Sequence, residues 1–273
     1  MAPIPGGRFT MGSDDFYAEE RPARTVDVAA FWIDLQPVSN RAFAAFVDAT
    51  AYVTAAECGS TAGDCGSFVF RMTDGPVDVR GAPVWWHFID GASWRRPDGA
   101  ASSLADRWEL PVVHVSHADA RAYAAWCGKR LPSEREWERA ARGGLEGAPY
   151  AWGATFLIDG QRMANTWQGA FPWHNSAPRS PGPSAPGAYP PNAYGLYDMI
   201  GNVWEWTSEP APSASHAHAC CAGTAAGAES AIVKGGSYLC ADEYCRRYRP
   251  AARIAQPLAS TSAHIGFRCA RDR

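Results

Sequence analysis

The sequence predicts one α/β domain with little regular secondary structure, and three observations support that prediction. The chain of 273 residues contains 26 glycines and 21 prolines, which make a backbone turn often. It also contains 12 tryptophans, whose large side chains bury enough apolar area to hold irregular segments together. Neither an internal repeat nor a hydrophilic linker divides the sequence, so we expect a single domain over residues 1–273.

Three segments with helical spacing of apolar residues each begin at a serine, namely Ser39, Ser116 and Ser133. Asp119 and Glu136 stand three residues after the second and third serines, which is the spacing of a capping box. Glycines follow the second and third segments and are expected to end those helices. The apolar faces are predicted to contain Phe43, Phe46, Val47, Ala120, Tyr123, Ala124, Cys127, Trp137, Ala140 and Ala141.

Short strands are predicted between the helices and at the two ends of the chain. They cover residues 8–12, 26–35, 232–238 and 264–270. Residues 14–24 and 58–96 are interpreted as long loops. Residues 176–191 are rich in proline, glycine and serine but are interpreted as an ordered surface loop. Residues 210–230 contain few large apolar side chains, so we expect them to be the most mobile part of the chain.

Charge and hydropathy exclude two classes of partner. The net charge is −3 and acidic and basic residues are mixed, so we expect neither nucleic-acid binding nor a membrane-surface patch. No apolar stretch is long enough to span a bilayer. The first twelve residues lack the charged and apolar regions of a secretory signal, which favours the cytoplasm. The sequence says little about oligomeric state, for which our expectation is a monomer.

The most informative residues are Cys240 and Cys245. They lie in KGGSYLCADEYCRRYRPAAR at residues 234–253, after a glycine pair that lets the backbone pass close to other atoms. Four residues separate them, which is too many for the common CxxC redox turn and unusual for zinc. Five basic side chains flank the pair and are expected to favour thiolates over thiols. These side chains are Lys234, Arg246, Arg247, Arg249 and Arg253.

Several functions remain open for two neighbouring thiolates. They suit a soft metal such as Cu(I), a redox reaction or a structural disulfide. Cysteine pairs more often form structural disulfides than take part in reactions, so residue chemistry alone favours a disulfide over the other two functions.

The amino-acid sequence of this segment closely resembles the active-site segment of the formylglycine-generating enzymes, also called sulfatase-modifying factors. Other blocks of that family occur in order along the chain: IPGGRFTMGS, PVSNRAFAAFVDAT, PVVHVSHADARAYAAWCGKRLPSEREWERAARGG, ANTWQGAFP, PPNAYGLYDMIGNVWEWTSE and GFRC. The resemblance therefore covers nearly the whole chain, from about Ile4 to Cys269. The Cys220–Cys221 pair looks most like actinobacterial members. The resemblance implies a C-type-lectin-like α/β fold with limited regular structure.

The resemblance also implies a reaction. Both thiolates would bind one Cu(I), and a substrate cysteine would add as a third sulfur ligand. O2 would remove hydrogen from the substrate Cβ, leaving a thioaldehyde that water converts to formylglycine. The implied catalytic residues are Cys240, Cys245, Ser237, Trp204 and Tyr244; for Trp204, plain packing is an equal alternative. Ala241 stands where many family members carry histidine.

Two calcium loops are implied by the same resemblance. The ligands of the first are the carboxylates of Asp198 and Glu205 and the main-chain oxygens of Gly201 and Val203, a donor set that suits Ca2+. The alternative is a solvated turn with two unpaired acids. The second site would use Asn165 and the Thr166 carbonyl. Its downstream aspartate falls near Arg179 here, so we expect that the second ion does not bind.

The implied substrate is a nascent or unfolded sulfatase chain carrying a Cys-x-Pro-x-Arg motif. Trp85, Trp86, Trp94 and Arg95 resemble the rim of the family's peptide-binding site, and exposed aromatic rings can clasp an extended peptide. Core packing is the competing interpretation for at least one of the three tryptophans. The implied function is thus a copper-dependent, O2-using oxidase of sulfatase cysteines.

Two rival functions use the same fold. An iron-dependent sulfoxide synthase would need an extra helical domain with a histidine-rich motif, which this sequence lacks. A non-catalytic lectin-like binding module would have no reason to keep two cysteines with these flanking residues.

The remaining cysteines have weaker interpretations. The family ties the second predicted helix to the GFRC strand, so Cys127 and Cys269 could form a staple, although the helical cysteine is shifted by three residues. Cys58 and Cys65 could close a small loop. Cys220 and Cys221 follow His216 and His218, but an irregular loop is favoured over a metal-binding tract.

Overall fold

The three predicted helices are present in the computed structural model, which describes residues 1–58, 65–211 and 228–273. The helices are α1 (Asn40–Thr50), α2 (Ala55–Cys58), α3 (His117–Trp126) and α4 (Glu134–Arg142). Ser39, Ser116 and Ser133 are the N-caps of α1, α3 and α4, as predicted. Both capping boxes form, because each serine side chain accepts from a backbone N–H while the third residue's carboxylate accepts in return. The short helix α2 was not predicted.

Thirteen short strands lie in the described residues. They are β1 (Ala2–Ile4), β2 (Gly7–Met11), β3 (Arg24–Val28), β4 (Phe31–Ile33), β5 (Gly66–Phe70), β6 (Trp86–Asp90), β7 (Leu157–Ile158), β8 (Gln161–Arg162), β9 (Trp204–Pro210), β10 (Ser230–Lys234), β11 (Arg253–Pro257), β12 (Ile265–Gly266) and β13 (Ala270–Asp272). The strand predicted at 26–35 is divided between β3 and β4, and the one at 264–270 between β12 and β13. The loop predicted at 58–96 is wrong in part, since it contains the antiparallel pair β5 and β6.

A four-stranded sheet with the order β11-β10-β9-β12 positions the residues of interest. In this sheet Val233 of β10 is paired with Trp206 of β9, and Lys234 with Glu205. The edge strand β12 runs parallel to β9 and pairs Ile265 with Trp204. Residues 176–191 contain no helix or strand, which agrees with the predicted surface loop. No helix among the described residues is long and apolar enough to cross a membrane.

Several buried charges in this fold are paired with each other. Arg268 and Glu205 are both fully buried, and the guanidinium contacts both carboxylate oxygens at 2.7 and 2.8 Å. The indole of Trp137 on α4 donates to the same carboxylate at 2.7 Å. Lys234 is likewise buried and lies 2.9 Å from Glu138 of α4. These contacts fasten α4 and the GFRC segment to the central sheet, since an unpaired buried charge would be very costly.

We predict that Glu205→Gln lowers the free energy of unfolding by about 3–5 kcal/mol, because it leaves the Arg268 charge buried and uncompensated. The measurement is urea unfolding in calcium-free buffer. Glu109→Gln is the matched control, since its ion pair with Arg41 is equally short at 2.6 Å but both side chains are more than 60% exposed. That variant should change stability by about 0–1 kcal/mol. Equal losses in the two variants would contradict the structural role given to Glu205.

Candidate metal and catalytic site

The glycine pair that ends β10 brings two distant parts of the cysteine segment together. Gly235 and Gly236 have φ angles of 93° and 78°, a region that L side chains rarely adopt. A Cβ on Gly236 would lie 2.7 Å from the carbonyl oxygen of Arg247, and one on Gly235 would lie 2.8 Å from the ring of Trp137. The close approach predicted from the glycines is therefore present. It also explains why the strand predicted to reach residue 238 ends at Lys234.

The chain then folds into two turns that place the thiols side by side. Cys240 N–H donates to the Ser237 carbonyl at 3.0 Å, and Cys245 N–H donates to the Ala241 carbonyl at 2.9 Å. Both cysteines are buried, and their sulfur atoms are 3.3 Å apart. A disulfide bond is only about 2.05 Å long, so these are two free thiols in contact rather than a staple.

Burial strongly affects the protonation of Cys240. It is the largest cause of the raised pKa of Cys240, and the hydrogen bond and charge of Cys245 raise that pKa further. The expectation that the basic flank favours a thiolate is therefore wrong for Cys240. Most of the flanking charges face carboxylates instead of sulfur: the ion pairs are Lys234–Glu138, Arg247–Glu19, Arg249–Glu20 and Arg253–Glu134. Of these four, Arg247 also contacts sulfur, with Nη1 3.8 Å from Cys245 Sγ.

The donor set fits a soft monovalent ion better than zinc. Structural zinc uses four ligands, and no group of three or more His, Cys, Asp or Glu side chains that could hold a metal occurs in the described ranges. Two sulfur atoms in a dry pocket are the donors that Cu(I) prefers. A metal entering this site would displace the thiol protons, since cysteine binds metals as thiolate. Ser237 N–H, 3.4 Å from Cys240 Sγ, points at one of the two donors.

Tyr244 and Trp204 both lie close to the cysteine pair. The ring of Tyr244 stacks on Phe171 with centroids 4.5 Å apart and meets the edge of Trp85 at 5.3 Å. Trp204 is 1% exposed at the start of β9 and belongs to the same buried cluster as Cys240 and Cys245. Trp206, in that cluster too, donates from its indole to the Val115 carbonyl at 3.0 Å, as expected for a packing residue.

The expected exposed rim of tryptophans is wrong. Trp85, Trp86 and Trp94 are all buried. The first two join the aromatic cluster around Tyr244, whereas Trp94 packs on Phe43 at 5.1 Å in the main core. Arg95 lies over Trp94 at 4.3 Å and pairs with Glu57, so it covers the core at the surface. Sequence alone could not separate these cases, because a tryptophan-rich stretch serves a core and a rim equally well.

The first calcium loop differs from its expected form. Glu205 faces Arg268 and Trp137, so its carboxylate is already paired within the protein. Asp198 is different: it is buried with a φ of 53°, and its Oδ2 has no hydrogen-bond partner among the described residues. Burial raises its pKa to about 7. An orphaned carboxylate oxygen fits a cation at Asp198, while Glu205 does not fit the role of a free ligand.

The residues expected at the second calcium site lie beside a positive charge and use their side chains within the protein. Asn165 uses its side-chain N–H groups on the Gly182 carbonyl and on Asn202. Asn165 and Thr166 line a cavity of about 400 Å³ whose only charged lining residue is Arg179. A guanidinium repels Ca2+, so the expectation that this ion does not bind agrees with the charge of the cavity.

The other cysteines are free or lie beyond the described residues. Cys127 and Cys269 are free thiols joined by a hydrogen bond, so the staple suggested for them is not formed in the structure. The side chain of Cys58 and the residues Cys220, Cys221, His216 and His218 fall outside the described residues.

Sequence reasoning missed the contribution of the N-terminal loop. Tyr17 stacks under the guanidinium of Arg247, with the ring centroid 3.7 Å from Cζ. Its hydroxyl accepts from Arg246 N–H at 2.9 Å. Glu19 and Glu20 pair with Arg247 and Arg249. The one signal in the sequence was charge complementarity between two acids and two arginines more than 220 residues apart, which no local pattern connects.

Comparison with known proteins shows the family to which this chain is similar. A family model described as the sulfatase-modifying factor enzyme 1-like domain matches residues 1–273. The formylglycine-generating enzyme of Mycobacterium tuberculosis is 49% identical, covering 100% of this chain and 97% of its own. That of Thermomonospora curvata is 47% identical, covering 100% and 93%.

Identity at this level does not by itself separate active from inactive relatives. The inactive C-alpha-formylglycine-generating enzyme 2 of Mus musculus is 42% identical over 99% of this chain and 85% of its own. Among solved structures, PvdO from Pseudomonas aeruginosa superimposes with a TM-score of 0.64 at 26% identity, covering 99% and 93% of the two chains. The predicted fold class is thereby confirmed. The chain belongs to the sulfatase-modifying factor family, which contains the formylglycine-generating enzymes.

Proposed function

We propose that this protein oxidises a cysteine in a Cys-x-Pro-x-Arg motif of a sulfatase polypeptide to Cα-formylglycine, using Cu(I) and O2. One observation carries the proposal: two buried free thiols lie 3.3 Å apart at the centre of the family's most specific sequence block. The relatives called formylglycine-generating enzymes support the reaction, since they match the chain over its whole length.

The thiol pair also supports an enzyme over a binding module. A binding module would need a shaped surface, whereas both of these sulfur atoms are shielded from solvent by neighbouring side chains. Burying two thiols together brings no obvious gain to a binding surface, but it provides a pair of soft donors in a dry pocket. The iron-dependent alternative is disfavoured because hard nitrogen and oxygen ligands do not surround this pocket in the described part of the chain.

The residues of the pocket hold the reacting sulfur atoms in fixed positions. The Ser237 N–H contacts Cys240, and the Arg247 guanidinium contacts Cys245, so each sulfur has its own donor. Each donor stabilises negative charge on its sulfur once the proton is lost. A Cu(I) ion held by Cys240 and Cys245 would supply the one-electron chemistry that ground-state O2 requires. Trp204 and the neighbouring aromatic rings keep bulk water away from the sulfur atoms.

The substrate would reach the pocket as an extended, unfolded chain. A folded sulfatase would bury its motif, whereas a nascent chain can present one cysteine beside Tyr244. Because the tryptophans at 85 and 86 pack behind Tyr244, they would shape the wall of the pocket from within rather than clasp the peptide directly.

We predict that Cys240→Ser and Cys245→Ser each abolish turnover and lose about 100-fold or more in Cu(I) affinity, because a hydroxyl is a poor ligand for a soft ion. The measurements are mass spectrometry of a Cys-x-Pro-x-Arg peptide after incubation with Cu(I) and O2, and anaerobic Cu(I) titration. Cys127→Ser is the matched control, since Cys127 is a free thiol outside the pair. It should retain both properties.

A peptide with serine in place of cysteine provides the substrate control. It should bind more weakly than the cysteine peptide only when Cu(I) is present, since the substrate sulfur would otherwise have no metal to contact. Near-normal turnover by either cysteine variant with Cu(I) present would overturn the proposed function.

We also propose that Ca2+ binds at Asp198 together with the main-chain oxygens of Gly201 and Val203. The support is the orphaned Oδ2 of Asp198, since a buried carboxylate oxygen without a partner is costly unless a cation or donor reaches it. Water would complete the six to eight oxygen ligands that Ca2+ takes. Glu205, already paired with Arg268, is left out of this ligand set.

We predict that calcium raises the melting temperature mainly above pH 7. Burial raises the folded-state pKa of Asp198 from 3.8 to about 7, so the folded protein holds this proton more tightly than the unfolded chain. Without calcium, stability is fully present below about pH 4 and is lost as pH rises towards 7. Calcium binds the carboxylate and should restore stability where that form dominates.

Asp198→Asn should remove the rise in melting temperature on adding calcium. It should also remove the loss of stability between pH 4 and 7. Asp48→Asn, at an exposed carboxylate on α1, is the control and should keep them. The comparison is thermal unfolding with calcium and with chelator on each side of pH 7. A melting temperature that does not respond to calcium at any of these pH values would rule out the site.

A further inference from the structure

Arg247 is the one basic residue of the cysteine segment that combines burial with contact to sulfur. Its guanidinium is 7% exposed, and Nη1 lies 3.8 Å from Cys245 Sγ. The side chain is held from two further directions. The Tyr17 ring stacks on one face at 3.7 Å, and Glu19 accepts from Nε and Nη2 at 2.9 and 2.6 Å.

The adjacent arginine has none of these properties. The side chain of Arg246 is 47% exposed and reaches towards Asp242 and the hydroxyl of Tyr150. Two neighbouring residues with the same charge therefore differ in burial and in contact with the thiols. This difference allows the charge of Arg247 to be tested separately from the general basic character of the segment.

We propose that Arg247 is the counter-charge of the two-thiolate metal site and sets how tightly that site holds Cu(I), with Glu19 acting as an opposing charge behind it. This inference rests on the proposed function, because it assumes that Cys240 and Cys245 bind the metal. Arg247 acts on the metal through the sulfur atoms and is not itself a ligand or a catalytic residue.

The argument is one of charge balance in a dry pocket. Two thiolates and one Cu(I) carry a net charge of −1, and an isolated charge in a buried pocket is strongly unfavourable. The guanidinium supplies the opposite charge at contact distance from Cys245, where water screens it little. Glu19 is 20% exposed and pairs with Arg247, so it holds the guanidinium in place and at the same time withdraws part of its positive charge from the sulfur atoms.

These two residues therefore predict effects of opposite sign. Arg247→Gln removes the counter-charge and should weaken Cu(I) binding by about 10- to 100-fold, the range found when a residue supporting a metal ligand is lost. Glu19→Gln removes the opposing negative charge and should tighten Cu(I) binding several-fold. Both variants break the same ion pair, so a purely structural role would weaken binding in both.

The experiment is an anaerobic Cu(I) competition titration against a chromophoric chelator at one fixed pH, with melting temperatures recorded for each variant. Arg247→Lys keeps the positive charge but changes the shape of the side chain. It should bind Cu(I) nearly as tightly as wild type, whereas Arg247→Gln should not, which shows whether charge or shape matters. Arg246→Gln removes an equal charge from the exposed neighbour and should leave the affinity within about twofold, as expected for a solvent-screened position.

The outcomes separate this inference from the proposed function. If wild type binds Cu(I) only when both cysteines are present, but Arg247→Gln matches wild type or Glu19→Gln weakens binding, the counter-charge role is overturned and the proposed function stands. If wild type shows no cysteine-dependent Cu(I) binding, the proposed function fails and this inference fails with it. Three results together would support the counter-charge role. Cu(I) binding is weaker in Arg247→Gln, tighter in Glu19→Gln and close to wild type in Arg247→Lys.

Discussion

The site depends on the close packing of Gly236 against the peptide group between Arg247 and Tyr248. A Cβ at Gly236 would approach that backbone to 2.7–2.9 Å, so only glycine allows the contact. The contact closes the segment from Gly236 to Arg247 into a loop, and both Cys240 and Cys245 lie within that loop. Local hydrogen bonds then complete the arrangement, and the two sulfur atoms meet without a covalent bond. The geometry of the thiols is therefore a property of the backbone.

Paired charges extend this constraint to the rest of a fold with short strands and long irregular segments. Glu138 faces Lys234 and Arg142, Glu20 faces Arg249, and Glu134 faces Arg253. Apart from the Glu138–Arg142 pair within α4, these pairs join the N-terminal loop and helix α4 to the strands and turns that carry the cysteines. Because these cations are matched by carboxylates, they contribute little net field at the sulfur atoms, and burial determines the protonation of Cys240.

The sequence was sufficient for features with local causes. Helices α1, α3 and α4 begin at the predicted serines because each serine side chain accepts a hydrogen bond from a backbone N–H only three residues further on. Features that depend on distant partners were missed or misread. Trp85 and Trp94 were expected at a rim, yet their environments are formed by Phe171 and Phe43, which no local pattern links to them. From the sequence, Glu205 was expected to be available as a calcium ligand. Its ion-pair partner Arg268 lies 63 residues away, and no local pattern links the two.

The raised pKa of Cys240 would have a chemical consequence in the proposed reaction with O2. Thiolates, not thiols, attack other sulfur atoms and react with oxidants. A buried Cys240 with a raised pKa is therefore protected until a metal replaces its proton. Cys127 shows the contrast: its hydrogen bond with Cys269 and the nearby Lys129 lower its pKa to about 7, and it is partly exposed. Two cysteines of one chain thus differ in the direction of their pKa shift: burial raises that of Cys240, whereas the hydrogen bond with Cys269 lowers that of Cys127.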